Sequence, residues 1–170
     1  MTDESRHWTE YNEIAPDFTH GENFEIGKYC VIEEDVVVGD NVRIGYFVLL
    51  KKGTRIGNDT FVDSYVRSSG SNSIGSGVTL RFGSTIARKV VVGDGTFISP
   101  NVMTIFSKHT GEKSEGTSIG ENCHIGTNVV IGPNVSIAPE TVVGALSYVH
   151  KSIEEAGIYV GTPAKRMKDV

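Results

Sequence analysis

A branched aliphatic residue recurs at every sixth position over most of this chain, and this period constrains the fold more than any other feature. The series counted from Ile26 runs to Ile98, and twelve of its thirteen positions are Ile, Val or Leu, the exception being Ser68. A second series, from Ile119 to Val149, is aliphatic at all six positions. A helix needs an apolar period near 3.6 and a half-buried strand needs a period of 2, so neither explains a period of six.

The other positions of the repeat predict short strands joined by tight turns. A small or β-branched residue usually stands two positions before the aliphatic one, and Gly follows directly at ten of the nineteen positions. Asn, Asp or Gly often stands two residues further on, where a left-handed backbone conformation costs little. Three hexapeptides would form one triangular coil. The repeats therefore predict a little over six coils, stacked in a column about 30 Å tall.

The two series are out of phase, and the segment between them carries a candidate catalytic residue. From Ile98 to Ile119 the chain advances 21 residues, three more than a multiple of six, so we expect an inserted polar loop over residues 106–116. This loop contains His109. A histidine can accept a proton from a hydroxyl or an amine near neutral pH. The alternative is that His109 is only a solvated loop residue.

The repeat resembles that of the hexapeptide-repeat acyltransferases. This resemblance implies an all-β fold, a left-handed parallel β-helix, and periodicity alone does not give the hand. We expect an N-terminal cap over residues 1–23, the β-helix over 24–160 with its loop at 106–116, and a C-terminal cap over 161–170.

Both ends are expected to carry a short helix. Residues 2–15 would form one that is stopped by Pro16, and it would either cover the first coil or reach a neighbouring subunit. Thr162 and Pro163 are placed as the N-cap and first residue of a C-terminal capping helix.

The inserted loop is similar to the catalytic loop of the galactoside and maltose O-acetyltransferase group. Asn101-Val102 is followed by His109, eight residues after the Asn, and Cys123-His124-Ile125-Gly126 resembles the coil that follows the loop in that group. The resemblance implies that His109 is the general base and that acetyl-CoA is the acyl donor. It also implies a homotrimer whose active sites lie between neighbouring columns.

Two later segments are similar to the parts of that group that contact coenzyme A. One is the run 143–151, and the other is the ending Gly161-Thr-Pro-Ala-Lys165. By position, the resemblance places Thr127 and Ala145 against the pantetheine arm. It places Lys151 and Lys165 near the phosphates as point charges.

Two residues depart from the group's pattern and are candidates for substrate binding. His124 stands where the group usually has Trp, so it could weaken stacking on pantetheine or add a polar contact. Arg81 precedes Phe82 where the group has a polar Asn. An arginine there suits an anionic acceptor, or it could form an ordinary salt bridge. Ser68, the polar residue of the first series, could mark a widened turn or a rim that faces substrate.

Composition limits the other classes of function. The formal charge of −5 argues against general nucleic-acid binding. No apolar run is long enough to span a membrane, and the polar start MTDESRH lacks the apolar core of a signal peptide, so we expect a cytoplasmic protein. Both cysteines, Cys30 and Cys123, fall on small inward positions and are interpreted as packing residues rather than metal or redox groups.

The sequence thus predicts an acetyl-CoA-dependent acetyltransferase that acts on a sugar hydroxyl, with an N-acetyltransferase for amino sugars as the close alternative. A zinc enzyme like the γ-class carbonic anhydrases would need three imidazoles, two of them in a His-x4-His pair. His109, His124 and His150 are too widely spaced along the chain to offer such a pair, so we expect no metal. A non-catalytic scaffold is the third alternative.

Overall fold

The computed structural model describes residues 10–108, 110–111 and 115–170, and every regular element in these residues is a β-strand. The first twelve strands are β1 (Glu13–Ile14), β2 (Thr19–His20), β3 (Glu25–Ile26), β4 (Val31–Ile32), β5 (Val37–Val38), β6 (Arg43–Ile44), β7 (Leu49–Leu50), β8 (Arg55–Ile56), β9 (Phe61–Val62), β10 (Arg67–Ser68), β11 (Ser73–Ile74) and β12 (Thr79–Leu80). The other twelve are β13 (Thr85–Ile86), β14 (Val90–Val92), β15 (Phe97–Ile98), β16 (Met103–Thr104), β17 (Thr117–Ile119), β18 (His124–Ile125), β19 (Val130–Ile131), β20 (Ser136–Ile137), β21 (Val142–Val143), β22 (Tyr148–Val149), β23 (Ile158–Val160) and β24 (Lys165–Lys168).

As far as β22 every third strand joins the same sheet, so the chain winds as a parallel β-solenoid with three flat faces; β23 and β24 both join the third sheet. Sheet A has eight strands, from β1 to β22, sheet B has seven, from β2 to β20, and sheet C has nine, from β3 to β24. Along the regular coils, a residue pairs with the residue three hexapeptides earlier and three hexapeptides later, as Arg67 does with Leu49 and Thr85. This topology confirms the predicted coil of three hexapeptides and is consistent with the left-handed β-helix that the resemblance implies.

The six-residue aliphatic series fills the interior of the column. Ile98, Ile125 and Ile131 have no exposed surface, and the small residues two positions earlier, such as Val36 and Cys123, are equally buried. Complete burial of an Ile or Val side chain contributes about 1.5–3 kcal/mol. The stacked series is therefore the main source of stability.

The turns explain the remaining pattern of the repeat. Fifteen residues other than Gly have φ between 52° and 63°, and eight of them are Asn or Asp, the types that tolerate this conformation best. Tyr29, Phe47 and Tyr65 are costly there, but their rings stack on one another with centroids 5.0 and 4.9 Å apart. Such ring pairs are worth about 0.5–1.5 kcal/mol each, which offsets much of the strain.

The column begins earlier than predicted, and a helix over residues 10–15 is wrong. Glu13–Ile14 pairs with Val31–Ile32 as a parallel strand, so the first coil lies inside the expected cap 1–23. The side chain of Asn12 accepts a hydrogen bond from the amide of Cys30 and donates one to the carbonyl of Gly27. These bonds hold the segment extended against the next coil. The rest of the predicted helix, residues 2–9, lies outside the described residues.

The predicted C-terminal capping helix is also wrong. Lys165–Lys168 instead forms a strand that pairs antiparallel with Ile158–Val160. Gly161, at φ +100°, lies in the reversal of the chain, and its amide donates to the hydroxyl of Ser147. The amide of Ala164 donates to a backbone carbonyl of β22, so the segment is held on the last coils as a hairpin.

Two positions of the six-residue inward series are occupied by polar residues, Ser68 and Thr104. The first series continues past Ile98 to Thr104, which is buried and aligned with Ile131. The next inward residue of the series is Ile119, fifteen positions later instead of six, so the insertion is nine residues long. Ser68 is 4% exposed and in register with Leu50, so the interpretations of Ser68 as a widened turn or a substrate-facing rim are both wrong.

Candidate functional site

The inserted loop leaves the column at the A–B corner, which we define as the set of turns that lead from a sheet A strand to the next sheet B strand. It connects Met103–Thr104 to Thr117–Ile119. His109 and residues 112–114 lie outside the described residues, so the role of His109 stays a prediction.

Both ends of the loop are fastened to neighbouring coils of that corner. Phe106 packs against the core, and the guanidinium of Arg88 lies 6.0 Å from its ring centre. At the other end, the amide of Glu115 donates to the side-chain oxygen of Asn134 at 2.7 Å. The loop is therefore held between the coil of Arg88 and the coil of Asn134.

Thr127 and Ala145 lie together at a different corner, the C–A corner, where sheet C strands lead to sheet A strands. They lie on successive coils, and the amide of Leu146 donates to the carbonyl of Thr127 at 3.0 Å. A Cβ on Gly126 would lie only 2.6 Å from the amide nitrogen of Ala145, so this contact requires glycine. Thr127 is half-buried and Ala145 is exposed. Backbone and hydroxyl groups are thus accessible along this edge.

The two predicted phosphate-binding lysines lie at different corners. Lys165 opens β24 opposite Val160, near the C–A corner, where the hydroxyl of Thr162 donates to the carbonyl of Leu146. Lys151 follows β22 and belongs to the A–B corner, above the inserted loop. Both lysines are exposed. The structure therefore brings Thr127, Ala145 and Lys165 to one edge, and separates Lys151 from them by the width of sheet A.

Arg81 forms the salt bridge that we considered as its alternative role. Its Nε donates to a carboxylate oxygen of Asp63, one coil away at the C–A corner, at 3.1 Å. The side chain of Arg81 is 43% exposed. An ion pair this exposed is worth only about 0–1 kcal/mol, so the pair is a weak structural contact. A role of Arg81 in binding an acceptor stays a prediction.

His124 lies on the outward side of sheet C, where its ring stacks on Phe97. The ring centroids are 5.1 Å apart and the planes differ by 3°. The side chain of His124 is exposed, so it presents a flat surface with polar nitrogens at its edge. Whether His124 contacts pantetheine or an acceptor stays a prediction.

A cluster of cations at the A–B corner was missed in the sequence. It lines a cavity of about 210 Å³ formed by Glu33, Lys51, Lys52, Ser69, Ser71 and Arg88. Lys52 and Arg88 are far apart along the chain, but their separation is a whole number of coils, namely two. The signal was available, because residues separated by whole coils of three hexapeptides lie on the same corner.

The cysteines have the environment of packing residues. Burial raises the pKa of the Cys30 thiol and of the Cys123 thiol. Their sulfur atoms lie 3.2 Å from the carbonyl oxygens of Gly45 and Ala138. Within the described residues, no three His, Cys, Asp or Glu side chains form a group able to hold a metal ion. Likewise, no helix long and apolar enough to cross a membrane occurs there.

Comparison with known proteins identifies the repeat. The profile of the bacterial transferase hexapeptide, with six repeats, matches residues 19–52 and 116–151. The two matched segments lie on either side of the inserted loop. No curated protein is significantly similar to it in sequence.

Several acyltransferases of known structure have a similar fold. An Arabidopsis UDP-N-acetylglucosamine acyltransferase is 16% identical, with 95% of this chain and 73% of that one covered and a TM-score of 0.58. A mutant of AntD, an N-acyltransferase from Bacillus cereus solved with dTDP-4-amino-4,6-dideoxyglucose and coenzyme A, is 18% identical, with 85% and 83% covered and a TM-score of 0.55. The acetyltransferase domain of PglB from Neisseria gonorrhoeae FA1090, solved with acetyl coenzyme A, is 19% identical, with a TM-score of 0.50. This chain is covered to 92% in that match but spans only 57% of the PglB chain.

Proposed function

We propose that this chain is an acetyl-CoA-dependent acetyltransferase that acetylates a sugar hydroxyl, with His109 as the general base. The observation that carries the proposal is the long insertion between β16 and β17, whose sequence contains a histidine and on both sides of which the strands stay in register. The transferase repeat and the acyltransferases of the same fold support it.

The proposed reaction needs one proton transfer and one acyl transfer. His109 takes the proton of the acceptor hydroxyl as its oxygen attacks the thioester carbonyl. The tetrahedral intermediate then collapses, the carbon–sulfur bond breaks, and the imidazolium returns the proton to the leaving thiolate. The negative charge on the intermediate also requires a hydrogen-bond donor.

The separation of the candidate residues supports an active site between subunits. Thr127, Ala145 and Lys165 lie at the C–A corner, whereas the inserted loop and Lys151 lie at the A–B corner. In a homotrimer, the C–A corner of one column and the A–B corner of its neighbour can share one site. Light scattering that gives a mass of three times 18.4 kDa would support this arrangement, and a monomeric mass with full activity would contradict it.

The direct test is acetyl transfer by His109→Ala, measured as release of free thiol from acetyl-CoA with a panel of sugar acceptors. Loss of one general base lowers the rate by about 10²–10⁴-fold. The variant should still bind coenzyme A, which is measured as a shift in melting temperature when the cofactor is added. His20→Ala, which removes a histidine at the other end of the column, is the control. An unchanged rate in His109→Ala would refute the role of the histidine.

An amino-sugar N-acetyltransferase is the second candidate, and the likeness to the N-acyltransferase AntD favours it. The same base and thioester serve both reactions, so the product distinguishes them. An O-acetyl ester is cleaved by hydroxylamine at neutral pH, whereas an N-acetyl amide survives.

A further inference from the structure

The cavity at the A–B corner is formed by a missing side chain between two cations. Lys52, Gly70 and Arg88 follow one another at intervals of three hexapeptides, so they lie on three successive coils. Coils are about 4.8 Å apart, which separates the Cα atoms of Lys52 and Arg88 by about 10 Å. Gly70 contributes no side chain to the space between them. The result is a slot with a glycine floor and a basic residue at each end.

The floor of the slot is rigid. Gly70 has φ +95°, and its amide donates to the oxygens of Ser68 and Asn72, both of which are buried. The amide of Ser71 donates to the carbonyl of Lys52 at 2.9 Å. A Cβ on Gly70 would lie 2.7 Å from that same carbonyl oxygen, so the slot cannot be filled by substitution without strain. The hydroxyl-bearing residues Ser69 and Ser71 flank the glycine and line the cavity.

The balance of charge in the slot is positive. Lys52 pairs with Glu34 at 2.6 Å, and Glu33 accepts a hydrogen bond from the backbone amide of Lys52, so these carboxylates are engaged at the lower end. Within the described part of the chain, no carboxylate forms an ion pair with Lys51 or Arg88. The guanidinium of Arg88, the ammonium of Lys51 and the hydroxyls of Ser69 and Ser71 belong to residues that line this cavity of about 210 Å³. These are the kinds of donor that bind a phosphate group.

The slot lies directly beside the inserted loop. Phe106, at the start of the loop, is one coil above Arg88, whose guanidinium lies 6.0 Å from its ring centre. The floor at Gly70 is therefore two coils, about 10 Å, from the base of the loop that carries His109. A phosphorylated sugar is long enough to extend from the slot to the base of the loop.

We propose that the slot binds the phosphate group of the acyl acceptor, which makes a phosphate-bearing sugar the preferred substrate. The identity of the ligand as an acceptor rests on the proposed acetyltransferase function, but the binding of phosphate does not. Arg81, the sequence candidate for an anionic acceptor, lies at the C–A corner and is paired with Asp63. We therefore assign the anion site to Arg88 and Lys51 rather than to Arg81.

The first experiment measures binding of inorganic phosphate to the full chain by ³¹P NMR titration at constant ionic strength. Arg88→Gln and Lys51→Gln should each weaken binding by about tenfold, because each removes a charged hydrogen-bond donor. Arg43→Gln is the matched control for the arginine, since Arg43 also lies over a phenylalanine ring, 5.5 Å from the centre of Phe61. Lys168→Gln is the control for the lysine. Equal binding by all five proteins would show an adventitious ion only and would overturn the proposal.

The second experiment identifies the source of the phosphate. Lys51→Gln, which lines the slot without packing on the inserted loop, should raise KM about tenfold for a sugar phosphate and leave KM unchanged for the same sugar without its phosphate. If KM for acetyl-CoA rises instead, the slot holds a phosphate of the cofactor, and the assignment to the acceptor is wrong. Phosphate binding without acetyl transfer to any acceptor would refute the proposed function alone. Transfer without phosphate binding would refute the slot alone.

Discussion

Of two buried serines, only one should lower the stability of the protein when it is replaced by alanine, because only one of them is hydrogen-bonded. Ser68 Oγ lies 2.6 Å from Thr54 Oγ1, donates to the side-chain oxygen of Asn72, and accepts from the amide of Gly70 at 3.2 Å. Ser84 is fully buried, and its hydroxyl has no hydrogen-bond partner within the described residues. The two substitutions remove the same atom from the same interior.

The expected magnitudes follow from these contacts. Ser68→Ala leaves Thr54 bonded to the carbonyl of Lys51 and leaves the amide of Gly70 bonded to Asn72. No partner is fully orphaned, so the loss is that of about two net hydrogen bonds, or roughly 1–2 kcal/mol. Ser84→Ala removes a hydroxyl that was dehydrated without compensation, so we expect a change between zero and a gain of about 1 kcal/mol.

The assay is urea unfolding followed by circular dichroism, with all variants at one protein concentration because self-association would contribute to stability. A lower midpoint for Ser68→Ala, a higher or unchanged midpoint for Ser84→Ala, and a constant slope would support the reasoning. Equal losses in both variants would refute it, because they would show that any hydroxyl at these positions is worth the same.

Three further outcomes are expected. Gly126→Ala should destabilise by about 3 kcal/mol or prevent folding, because its Cβ would lie 2.6 Å from a backbone nitrogen of the next coil. Gly132→Ala should cost less, because its nearest contact is 3.3 Å, and thermal unfolding of both variants tests this difference. Cys30 and Cys123 should resist a thiol reagent at pH 8 until urea is added, and rapid labelling of the native chain would contradict their burial. Burial raises the pKa of both thiols in the folded state, so the free energy of unfolding should fall as the pH rises above the ordinary thiol pKa of 9.0. Thr141→Val should keep or raise the melting temperature, because the buried hydroxyl of Thr141 has no partner in the described residues.

The column could be predicted from sequence because the residues within each hexapeptide determine its local conformation. An inward aliphatic residue, a small residue two positions earlier and a turn residue in the left-handed region are all local signals, and coils add by stacking alone. Thr104 escaped notice because a threonine in that position does not continue an aliphatic series, although its hydroxyl is hydrogen-bonded to the amide of Ala87. The partner of this buried hydroxyl lies on another coil, so the local sequence does not reveal it.

The ends of the column could not be predicted in this way, because tertiary pairing overrides local preference there. The segment 2–15 has the apolar spacing of a helix, yet Glu13–Ile14 is bound to the next coil as a strand. Thr162-Pro163 has the composition of a helix start, yet the hairpin that follows gains hydrogen bonds to the last coil. The cationic slot was missed because Lys52 and Arg88 are far apart along the chain and lie on the same corner only when the coils are stacked.

The position of the insertion explains how this column can carry a site without losing stability. Val92 pairs with Ile119, and Met103 pairs with Val130. Across the insertion, the number of residues between paired positions is therefore larger by half a coil than elsewhere, and the strands after it return to the regular register. All of the extra residues are absorbed at a corner, where no ladder hydrogen bond has to be broken. The entropic cost of a longer loop grows only with the logarithm of its length, about 0.6 kcal/mol for each doubling. Beyond Phe106, which packs against the core, the sequence of the loop can therefore change at little cost to the stability of the coils.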